Sequence, residues 1–470
     1  MTVNLYNTDG RKIEPFIPIR EGNVGLYCCG PTVYNYAHIG NLRAFMFEDI
    51  LRRTLEYAGY KVKHIMNITD VGHLTDDGDD GEDKMIKAAR EKGMSVWDIA
   101  AFFTDSFFSD VERLNIQKPT LYSKATDHIE DMINMIRTLE EKGFTYQAGG
   151  NVYFDSSRFP EYGKMALLDK QDLQHGARVV VDENKRNPQD FVLWFTESKF
   201  EKQAMTWDSP WGVGYPGWHI ECSAMSCKYL GNHFDIHCGG IDHIPVHHTN
   251  EIAQSEAANG EKWVNYWCHN EFLLMKSGKM SKSKGGFLTL QSLVDKGYDP
   301  LDYRYFLLGG HYRSQLVFSW ESLEASASAR KNLIQKIGSL RKDAGPVNLS
   351  DLGDGAKEKL NDFSEHITAD LMTPRCLADL WGLLKDPAIA EGEKLAAAYE
   401  MDRVLGLKMD TYEIAEESVE ISEEDKALIG ERAKAKKEKN FSRADEIRDI
   451  FSDRGYTLVD TPEGTILKKK

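Results

Sequence analysis

Long apolar runs are missing from this sequence of 470 residues, so we expect no segment that spans a membrane. The first residues, Met1 to Tyr6, form neither a basic stretch nor an apolar core, and we expect no secretory signal. Cysteine is scarce, with seven in the whole chain, an odd number. That count argues against a disulfide framework and predicts reduced thiols in a cytoplasmic protein.

Two familiar zinc-site patterns are also absent. The sequence has no H-E-x-x-H segment, which excludes that protease site, and no paired C-x-x-C, which excludes a zinc ribbon. A hydrophobic share of 41% is enough for a large core and argues against disorder. The net charge of −16 argues by itself against a nucleic-acid partner, but residues 431–439 are locally basic. A solvated helix face is the plain alternative for them.

Two short segments suggest a phosphate site. His38, Gly40 and Asn41 lie at a predicted helix start, where free N–H groups favour phosphate and a glycine allows close approach of the backbone. Residues 279–283 (KMSKS) form a loop whose lysines can close over a pyrophosphate. Each segment alone is weak, and a helix start with a basic surface loop is the alternative.

The context of the first segment predicts a parallel sheet. Residues 24–29 are typical of a buried strand, residues 41–57 have helical apolar spacing, and residues 62–68 predict a second strand. Strand, turn, helix and strand in this order open a parallel nucleotide-binding sheet, with ligands at the carboxyl ends of its strands. Cys29 and His38 both lie at that edge.

Metal-capable side chains are concentrated between residues 219 and 269, where seven of the 14 histidines and four cysteines occur. His247 and Glu251 are four apart in a predicted helix, which places them on one face. Thiolate, imidazole and carboxylate are ordinary zinc ligands. The sequence alone leaves the choice open between neighbouring candidates, and Cys28, Cys227 and His248 compete with Cys29, Cys222 and His247.

With these motifs in view, the chain resembles the class I aminoacyl-tRNA synthetases, and among them the cysteinyl-tRNA synthetase family. The matching segments occur in family order: 29–34 (CGPTVY), 38–41 (HIGN), 67–70 (NITD), 217–225 (GWHIECSAM), 233–237 (HFDIH), 247–251 (HHTNE) and 279–283 (KMSKS). The first signature of the family usually ends in a second histidine, and this chain has Asn41 there. Asparagine still donates hydrogen bonds, so activity is expected to persist.

The resemblance implies the site residues. One zinc ion would be held by Cys29, Cys222, His247 and Glu251. ATP, with Mg²⁺, would be bound by His38, Gly40, Asn41, Gly240, Asp242, Lys279, Ser281 and Lys282. The cysteine pocket is expected to contain Cys29, Thr69, Trp218, His219 and His237. Core packing for Trp218 and a turn or cap for Asp242 are the structural alternatives. Contacts to tRNA are expected from Lys436, Phe441, Asp445 and Asp460, with Lys436 standing where arginine is expected.

The implied fold is α/β, a split parallel, Rossmann-like nucleotide-binding domain of the HUP type, followed by a helical bundle and a small mixed C-terminal domain. We predict the catalytic halves at 1–115 and 211–310, an insertion at 116–210, the bundle at 311–410 and the C-terminal domain at 420–470. The bundle helices are expected to be interrupted at Pro374 and Pro387, and residues 423–454 are predicted as one charged helix, before a small hairpin at the C-terminus.

The implied function is a two-step ligase reaction: L-cysteine and ATP give cysteinyl-adenylate, and the cysteinyl group then passes to tRNA(Cys). We expect a monomeric cytoplasmic enzyme. Zinc prefers a thiolate to a hydroxyl, which would reject serine. The substrate sulfur is expected either to add a fifth ligand or to loosen one of the four, and Glu251 is the first candidate to loosen. The alternatives are a tRNA-independent cysteine–amino-sugar ligase on the same fold and a non-catalytic zinc-containing RNA-binding protein.

Overall fold

The computed structural model describes residues 1–71, 84–168, 182–196, 205–276, 278–279, 287–345, 347–411, 422–461 and 464–469. The chain forms two compact units, Met1–Tyr412 and Glu413–Lys470. The catalytic halves, insertion and bundle expected from the sequence all fall in the first unit, so the boundaries inside it stay predictions. No helix in the described part of the chain is long and apolar enough to cross a membrane.

The strands form one central parallel sheet and several small sheets. They are β1 (Asn4–Asn7), β2 (Lys12–Pro15), β3 (Asn23–Cys28), β4 (Lys61–Ile68), β5 (Leu121–Lys124), β6 (Thr145–Ala148), β7 (Asn151–Phe154), β8 (Phe191–Phe195), β9 (Tyr215–Pro216), β10 (Phe234–Gly240), β11 (Val264–Asn270), β12 (Leu273–Met275), β13 (Gly278–Lys279), β14 (Leu316–Phe318), β15 (Tyr456–Thr461) and β16 (Gly464–Lys469).

Helices make up most of the later half of the described chain. They are α1 (Ile39–Tyr57), α2 (Lys84–Lys92), α3 (Val96–Arg113), α4 (Ile129–Glu141), α5 (Trp218–Leu230), α6 (Thr249–Asn259), α7 (Leu290–Val294), α8 (Pro300–Leu308), α9 (Trp320–Asp343), α10 (Asp354–Thr368), α11 (Thr373–Lys385), α12 (Glu391–Leu405), α13 (Glu423–Lys437) and α14 (Phe441–Asp453). A π-helical turn, Ile244–His248, precedes α6, and short 3-10 turns occur at Ala125–His128, Ser156–Arg158, Ile241–His243 and Leu349–Asp351.

The central sheet has the strand order β11-β10-β3-β4-β5, and all its pairs are parallel. Chain segments far apart in the sequence therefore meet in its middle, where Cys28 of β3 lies beside Met66 of β4 and Cys238 of β10. The predicted strands at 24–29 and 62–68 are confirmed to within one residue as β3 and β4. The strand order reverses between β10 and β3, which is where such sheets bind ligands.

The segment between β5 and β10 carries the antiparallel sheet β6-β7-β8-β9. Its strands are strongly aromatic and pack against one another, for example Tyr146 on Tyr153 with ring centroids 5.3 Å apart. Trp194 and Phe191 from the same sheet belong to the core that also contains Cys29 and Cys222. This sheet thus supports the edge at which the candidate site lies.

Both predicted interruptions of the helical bundle are confirmed. The break between α10 and α11 is followed by Pro374 in the first turn of α11, where its missing N–H has no helical partner to lose, and Pro387 lies between α11 and α12.

Two helix predictions need correction. The predicted helix 423–454 is two helices, α13 and α14, because Lys439 adopts a left-handed φ of 60° and Asn440 caps the second helix. The helix predicted around His247 begins as the π-helical turn and becomes α-helical only from Thr249.

The C-terminal unit has a core of its own. Ile447 and Phe451 on α14 pack with Leu458 and Leu467 of the β15–β16 hairpin, and all four are buried. The predicted hairpin is confirmed, with Leu458 paired to Leu467.

Candidate active site and metal centre

A tight turn after β3 fixes the first candidate ligand. The Cys29 N–H donates to the Cys238 carbonyl oxygen at 3.2 Å, and the Gly30 N–H donates to Asn67 Oδ1 at 2.7 Å. A Cβ on Gly30 would lie 1.7 Å from the Asn67 carbonyl oxygen, so only glycine fits at this crossing. The Cys29 thiol is therefore held between the two halves of the sheet.

Four side chains expected to hold a metal converge behind this turn. One ligand atom from each of Cys29, Cys222, His247 and Glu251 lies within 4.8 Å of all the others, and all four residues are buried. Cys222 comes from α5, His247 from the π-helical turn and Glu251 from α6. His247 Nε2 lies 3.4 Å from Glu251 Oε1. The donor set contains two sulfurs, one nitrogen and one carboxylate oxygen, which fits zinc.

A second set overlaps the first. Cys29 and Glu251 also group with His237 and His248, again within 4.8 Å. His237 Nε2 makes a hydrogen bond of 3.4 Å with Glu251 Oε1 and lies 3.2 Å from Glu251 Oε2. In the described part of the chain, Cys28 and Cys227 belong to neither set. The geometry thus reduces the candidate cysteine ligands to Cys29 and Cys222. It does not choose among the histidines, because His237, His247 and His248 all lie beside the Glu251 carboxylate.

Neighbouring rings orient these histidines. His219 Nδ1 lies 2.9 Å from His247 Nδ1, and the indole of Trp218 stacks on His247 with centroids 4.3 Å apart. His248 Nδ1 lies 2.7 Å from His269 Nε2. Because Nδ1 of His247 is engaged, its Nε2 is the nitrogen directed at Glu251. Such an outer contact fixes ring orientation at metal sites.

Burial controls the charges of the cluster. It raises the pKa of the Cys29 thiol well above its usual range, with the nearby Cys222 adding to the effect. Burial also raises the pKa of Cys222 and lowers that of His248 well below its usual range. The protein alone therefore favours neutral thiols here, and a cation is the natural compensation for thiolates at this place.

The nucleotide signature lies at the start of α1. His38 is the N-cap: its Nδ1 accepts from the Asn41 N–H at 3.0 Å, and its own N–H donates to Asn41 Oδ1 at 3.2 Å. Because the amide oxygen of Asn41 is used in this cap, its amide N–H groups are the atoms that can face a phosphate. A Cβ on Gly40 would lie 3.0 Å from the His38 ring.

The flanks of the lysine loop reach this helix start. The Ile39 N–H donates to the Leu288 carbonyl at 2.8 Å, and the rings of His38 and Phe287 meet edge to face at 5.8 Å. On the other flank, Lys279 pairs with Leu274 in β13 and β12. Ser281, Lys282 and the side chain of Lys279 lie outside the described residues, so their predicted roles stay predictions.

One cavity of about 360 Å³ joins the two groups of residues. Of the expected residues, its wall contains Cys29, His38, Gly40, Asn41, Thr69, Trp218, Cys222, Gly240, Asp242 and His247. His219, His237 and Glu251 are buried and do not line the cavity; His219 Nδ1 contacts His247, which does. The cavity wall therefore contains members of the proposed metal, amino-acid and nucleotide sets.

Two carboxyl groups escaped the sequence reasoning. Glu221 is 1% exposed and accepts from Thr69 Oγ1 at 2.8 Å, and burial raises its pKa well above the usual range. Glu48 also lines the cavity, is 1% exposed, and neither of its oxygens has a hydrogen-bond partner among the described residues. Helical spacing could have identified Glu48. It lies four residues after Ala44 and eight after Gly40, so all three lie on the face of α1 that lines the cavity.

The residues expected to contact tRNA lie in the C-terminal unit. Lys436 is exposed near the end of α13, and Phe441, at the start of α14, is 62% exposed. Asp445 is exposed and its Oδ1 lies 2.9 Å from Arg448 Nη1. Asp460 lies in β15, and its side chain is outside the described residues.

Comparison with known proteins identifies the family. The model of the tRNA synthetases class I (C) catalytic domain matches residues 15–328. The cysteine–tRNA ligases of Treponema denticola and Borreliella burgdorferi are 53% and 49% identical to this chain, each with both chains fully covered. Cysteine–tRNA ligase 1 of Burkholderia lata is 49% identical over 99% of this chain and 96% of its own.

Solved structures show the same fold at low identity. Methionyl-tRNA synthetase of Mycobacterium tuberculosis, bound to methionyl-adenylate, has a TM-score of 0.56 at 16% identity, covering 82% of this chain and 90% of its own. A leucyl-tRNA synthetase–tRNA complex of Agrobacterium radiobacter has a TM-score of 0.57 at 11% identity, covering 83% and 84%. The predicted split Rossmann-like fold is confirmed. From its family model and its full-length relatives, the chain belongs to the cysteinyl-tRNA synthetases, a class I family of ligases.

Proposed function

We propose that this chain activates L-cysteine with ATP and transfers it to tRNA(Cys), releasing pyrophosphate and AMP. The observation that carries the proposal is the shared cavity, whose wall contains Cys29, Cys222 and His247 of the candidate metal cluster together with the helix start of the nucleotide signature. The alternatives, an amino-sugar ligase and a non-catalytic RNA-binding protein, are not favoured, because relatives named cysteine–tRNA ligase match the whole chain.

Cys29, Cys222, His247 and Glu251 are the proposed zinc ligands. When bound, zinc would supply a soft Lewis acid that prefers the sulfur of cysteine to the hydroxyl of serine. The residues around the proposed zinc shape the pocket in which the two side chains are distinguished. Trp218 stacks on His247 and forms part of the cavity wall, which limits water beside the ligand cluster.

Thr69 is proposed to hold the α-ammonium group of cysteine. Its hydroxyl hydrogen goes to Glu221, and its oxygen accepts from Asn67 Nδ2 at 3.1 Å. A hydroxyl has one hydrogen and two lone pairs, so Thr69 can only accept from a ligand in the cavity. An ammonium group meets that requirement and a carboxylate does not, which would direct the substrate carboxylate toward the nucleotide.

The start of α1 is proposed to hold the phosphates of ATP, which binds with Mg²⁺. Attack of the cysteine carboxylate on the α-phosphate develops negative charge on phosphorus and on the leaving pyrophosphate. His38 and Asn41 are proposed to donate hydrogen bonds to that charge, and Lys279 and Lys282 are proposed to close over it. Gly240 and Asp242 line the same cavity, and the Asp242 carboxylate is proposed to bind the ribose.

Transfer to tRNA is proposed to use the C-terminal unit. Lys436 and Asp445 offer charge and hydrogen-bonding groups, and the exposed ring of Phe441 offers a surface on which an anticodon base can stack. Asp460 completes the proposed set. We further propose that the enzyme works as a monomer in the cytoplasm, where tRNA is charged.

The decisive experiment is cysteine-dependent ATP–pyrophosphate exchange, with serine as control, before and after zinc removal. We expect exchange with cysteine only, its loss on zinc removal and its return with added zinc. Cys222→Ser should abolish it, whereas Cys227→Ser, on the same helix but outside both ligand sets, should not. A folded wild type without exchange would refute the proposal, and equal exchange in the two variants would refute the ligand assignment.

A further inference from the structure

We propose that an exposed aromatic surface at the mouth of the cavity stacks the single-stranded 3′ end of the tRNA. This surface consists of Tyr36, Phe102 and Lys92, and we call it the aromatic platform. The inference rests on the proposed function and extends it, because it assigns a place outside the C-terminal unit to the acceptor end of the nucleic acid.

The rings of the platform are held in place by contacts with one another. Tyr36 meets Phe102 edge to face at 5.9 Å, and both meet Phe103, at 5.0 and 5.1 Å. Phe103 is 2% exposed and forms the base, whereas Tyr36 and Phe102 are 38% and 41% exposed. The platform is thus a pre-formed aromatic surface that remains open to solvent.

A cation accompanies these rings. Lys92 Nζ lies 5.8 Å from the ring centres of Tyr36 and Phe102 and 5.5 Å from that of Phe103. Eight residues earlier on α2, Lys84 Nζ lies 5.5 Å from the ring of Tyr34. The lysines at the two ends of α2 thus lie over the rings of Tyr34 and Tyr36, in a chain whose net charge is −16.

This combination fits single-stranded nucleic acid. Every base has a face that can stack on an aromatic ring, and every phosphate can pair with an ammonium group. An anionic protein surface would repel the phosphates, so basic residues beside the rings are the required complement. A peptide or a second copy of this chain would need a larger apolar area than two half-exposed rings provide.

The location favours the 3′ end over other parts of the RNA. Tyr36 stands two residues before His38, and both line the cavity, as do Tyr34 and Lys84. A strand whose terminal nucleotide reacts inside the cavity must lay its preceding nucleotides across the mouth. Tyr36 lies on the segment that leads from the proposed metal ligand Cys29 to the nucleotide signature.

Phe102→Ala and Lys92→Gln test the platform without touching the cavity wall. Each should lower kcat/KM for tRNA aminoacylation about tenfold, mainly through KM, because one stacked base or one phosphate contact is lost. Cysteine-dependent pyrophosphate exchange should be unchanged. Trp97→Ala is the matched control: it removes a 51% exposed ring from the same helix, α3, which makes no ring contact with Tyr36 or Phe102 among the described residues.

Binding of trimmed tRNA gives the sharper readout. Wild-type enzyme should lose about tenfold in affinity when the 3′-terminal single-stranded nucleotides are removed, and Phe102→Ala should show almost no further loss on trimming. Independent, additive losses would overturn the platform, as would unchanged aminoacylation or a parallel loss of exchange in the variants. Absence of exchange in the wild type would instead overturn the proposed function and this inference with it.

Discussion

At the scale of single residues, Gly30 decides the geometry of the turn that carries Cys29. The constraint is a backbone contact, since the missing Cβ would meet the carbonyl of Asn67 and not a movable side chain. The contact joins the ends of β3 and β4, where the cavity begins. A larger residue must push the two strand ends apart. We therefore expect it to lower catalytic activity more than it lowers the stability of the fold.

Gly30→Ala should therefore lower cysteine-dependent exchange at least a hundredfold, because displacement of a reacting or binding group by about 1 Å can cost that much. Gly338→Ala is the matched control, since nothing lies within 4 Å of a Cβ in that helical position. It should keep full exchange and raise the free energy of unfolding by about 1 kcal/mol. Full exchange in Gly30→Ala would contradict the argument.

His64 makes the fold sensitive to acid. It lies in β4, is 3% exposed, and burial lowers its pKa to about 3, with Arg52 adding to the lowering and Asp49 opposing it. The unfolded chain binds a proton at this histidine below its ordinary value of 6.5, and the folded chain does not. Stability is therefore complete above that value and declines as the pH falls toward 3.

Between pH 7 and pH 5, His64 should account for a loss of about 2 kcal/mol in the free energy of unfolding. His64→Leu removes the titrating group, so its stability should change less over the same interval. Urea unfolding of both proteins at the two pH values measures the difference. Parallel pH profiles would show that another group controls acid sensitivity.

At the scale of elements, a buried ion pair ties α1 to the helices that follow the catalytic sheet. Asp49 of α1 accepts from Arg304 of α8 at 2.7 Å and from Arg53 at 2.8 Å. Arg304 is fully buried and also donates to the carbonyls of Leu405, at the end of α12, and Leu114, which follows α3. One guanidinium thus joins the ends of several helices to the helix that begins with His38.

Asp49→Asn should destabilise the protein by about 3–5 kcal/mol, because it leaves the guanidinium buried without its charge partner. Glu161→Gln breaks the Lys164–Glu161 pair, whose side chains are 72% and 57% exposed, and should change stability by less than about 1 kcal/mol. Denaturant midpoints of the two variants provide the comparison. A loss of similar size in both would mean that burial of Arg304 is not the controlling factor.

Sequence patterns predicted elements well where local periodicity was strong, as in β3, β4 and α1. They failed where the deciding contact was distant or conformational: the left-handed φ of Lys439 that separates α13 from α14, and the π-helical turn before α6. At the site, side-chain chemistry identified the right neighbourhood. It could not separate His247 from His237 and His248, because all three surround Glu251 only in three dimensions.

At the scale of the whole molecule, the expected residues of the cavity belong to Met1–Tyr412, whereas Glu413–Lys470 has a core of its own. A chain ending at residue 412 should therefore keep cysteine-dependent exchange close to the wild-type rate. Its aminoacylation of tRNA should fall strongly, by a rise in KM, if the C-terminal unit binds the anticodon. Steady-state kinetics of both reactions test this, and an unchanged KM for tRNA would remove that unit from the proposed interface.

The pairing of β3 with β10 also has a consequence for synthesis on the ribosome. Strand β3 is made early, yet its neighbour on one side is more than 200 residues away in the chain. Cys29 likewise waits for Cys222, His247 and Glu251. A nascent chain shorter than about half its final length can therefore neither complete this sheet nor assemble the candidate metal site. One edge of β3 then stays unpaired and the Cys29 thiol stays without its partner ligands until β10 and α6 have been synthesised.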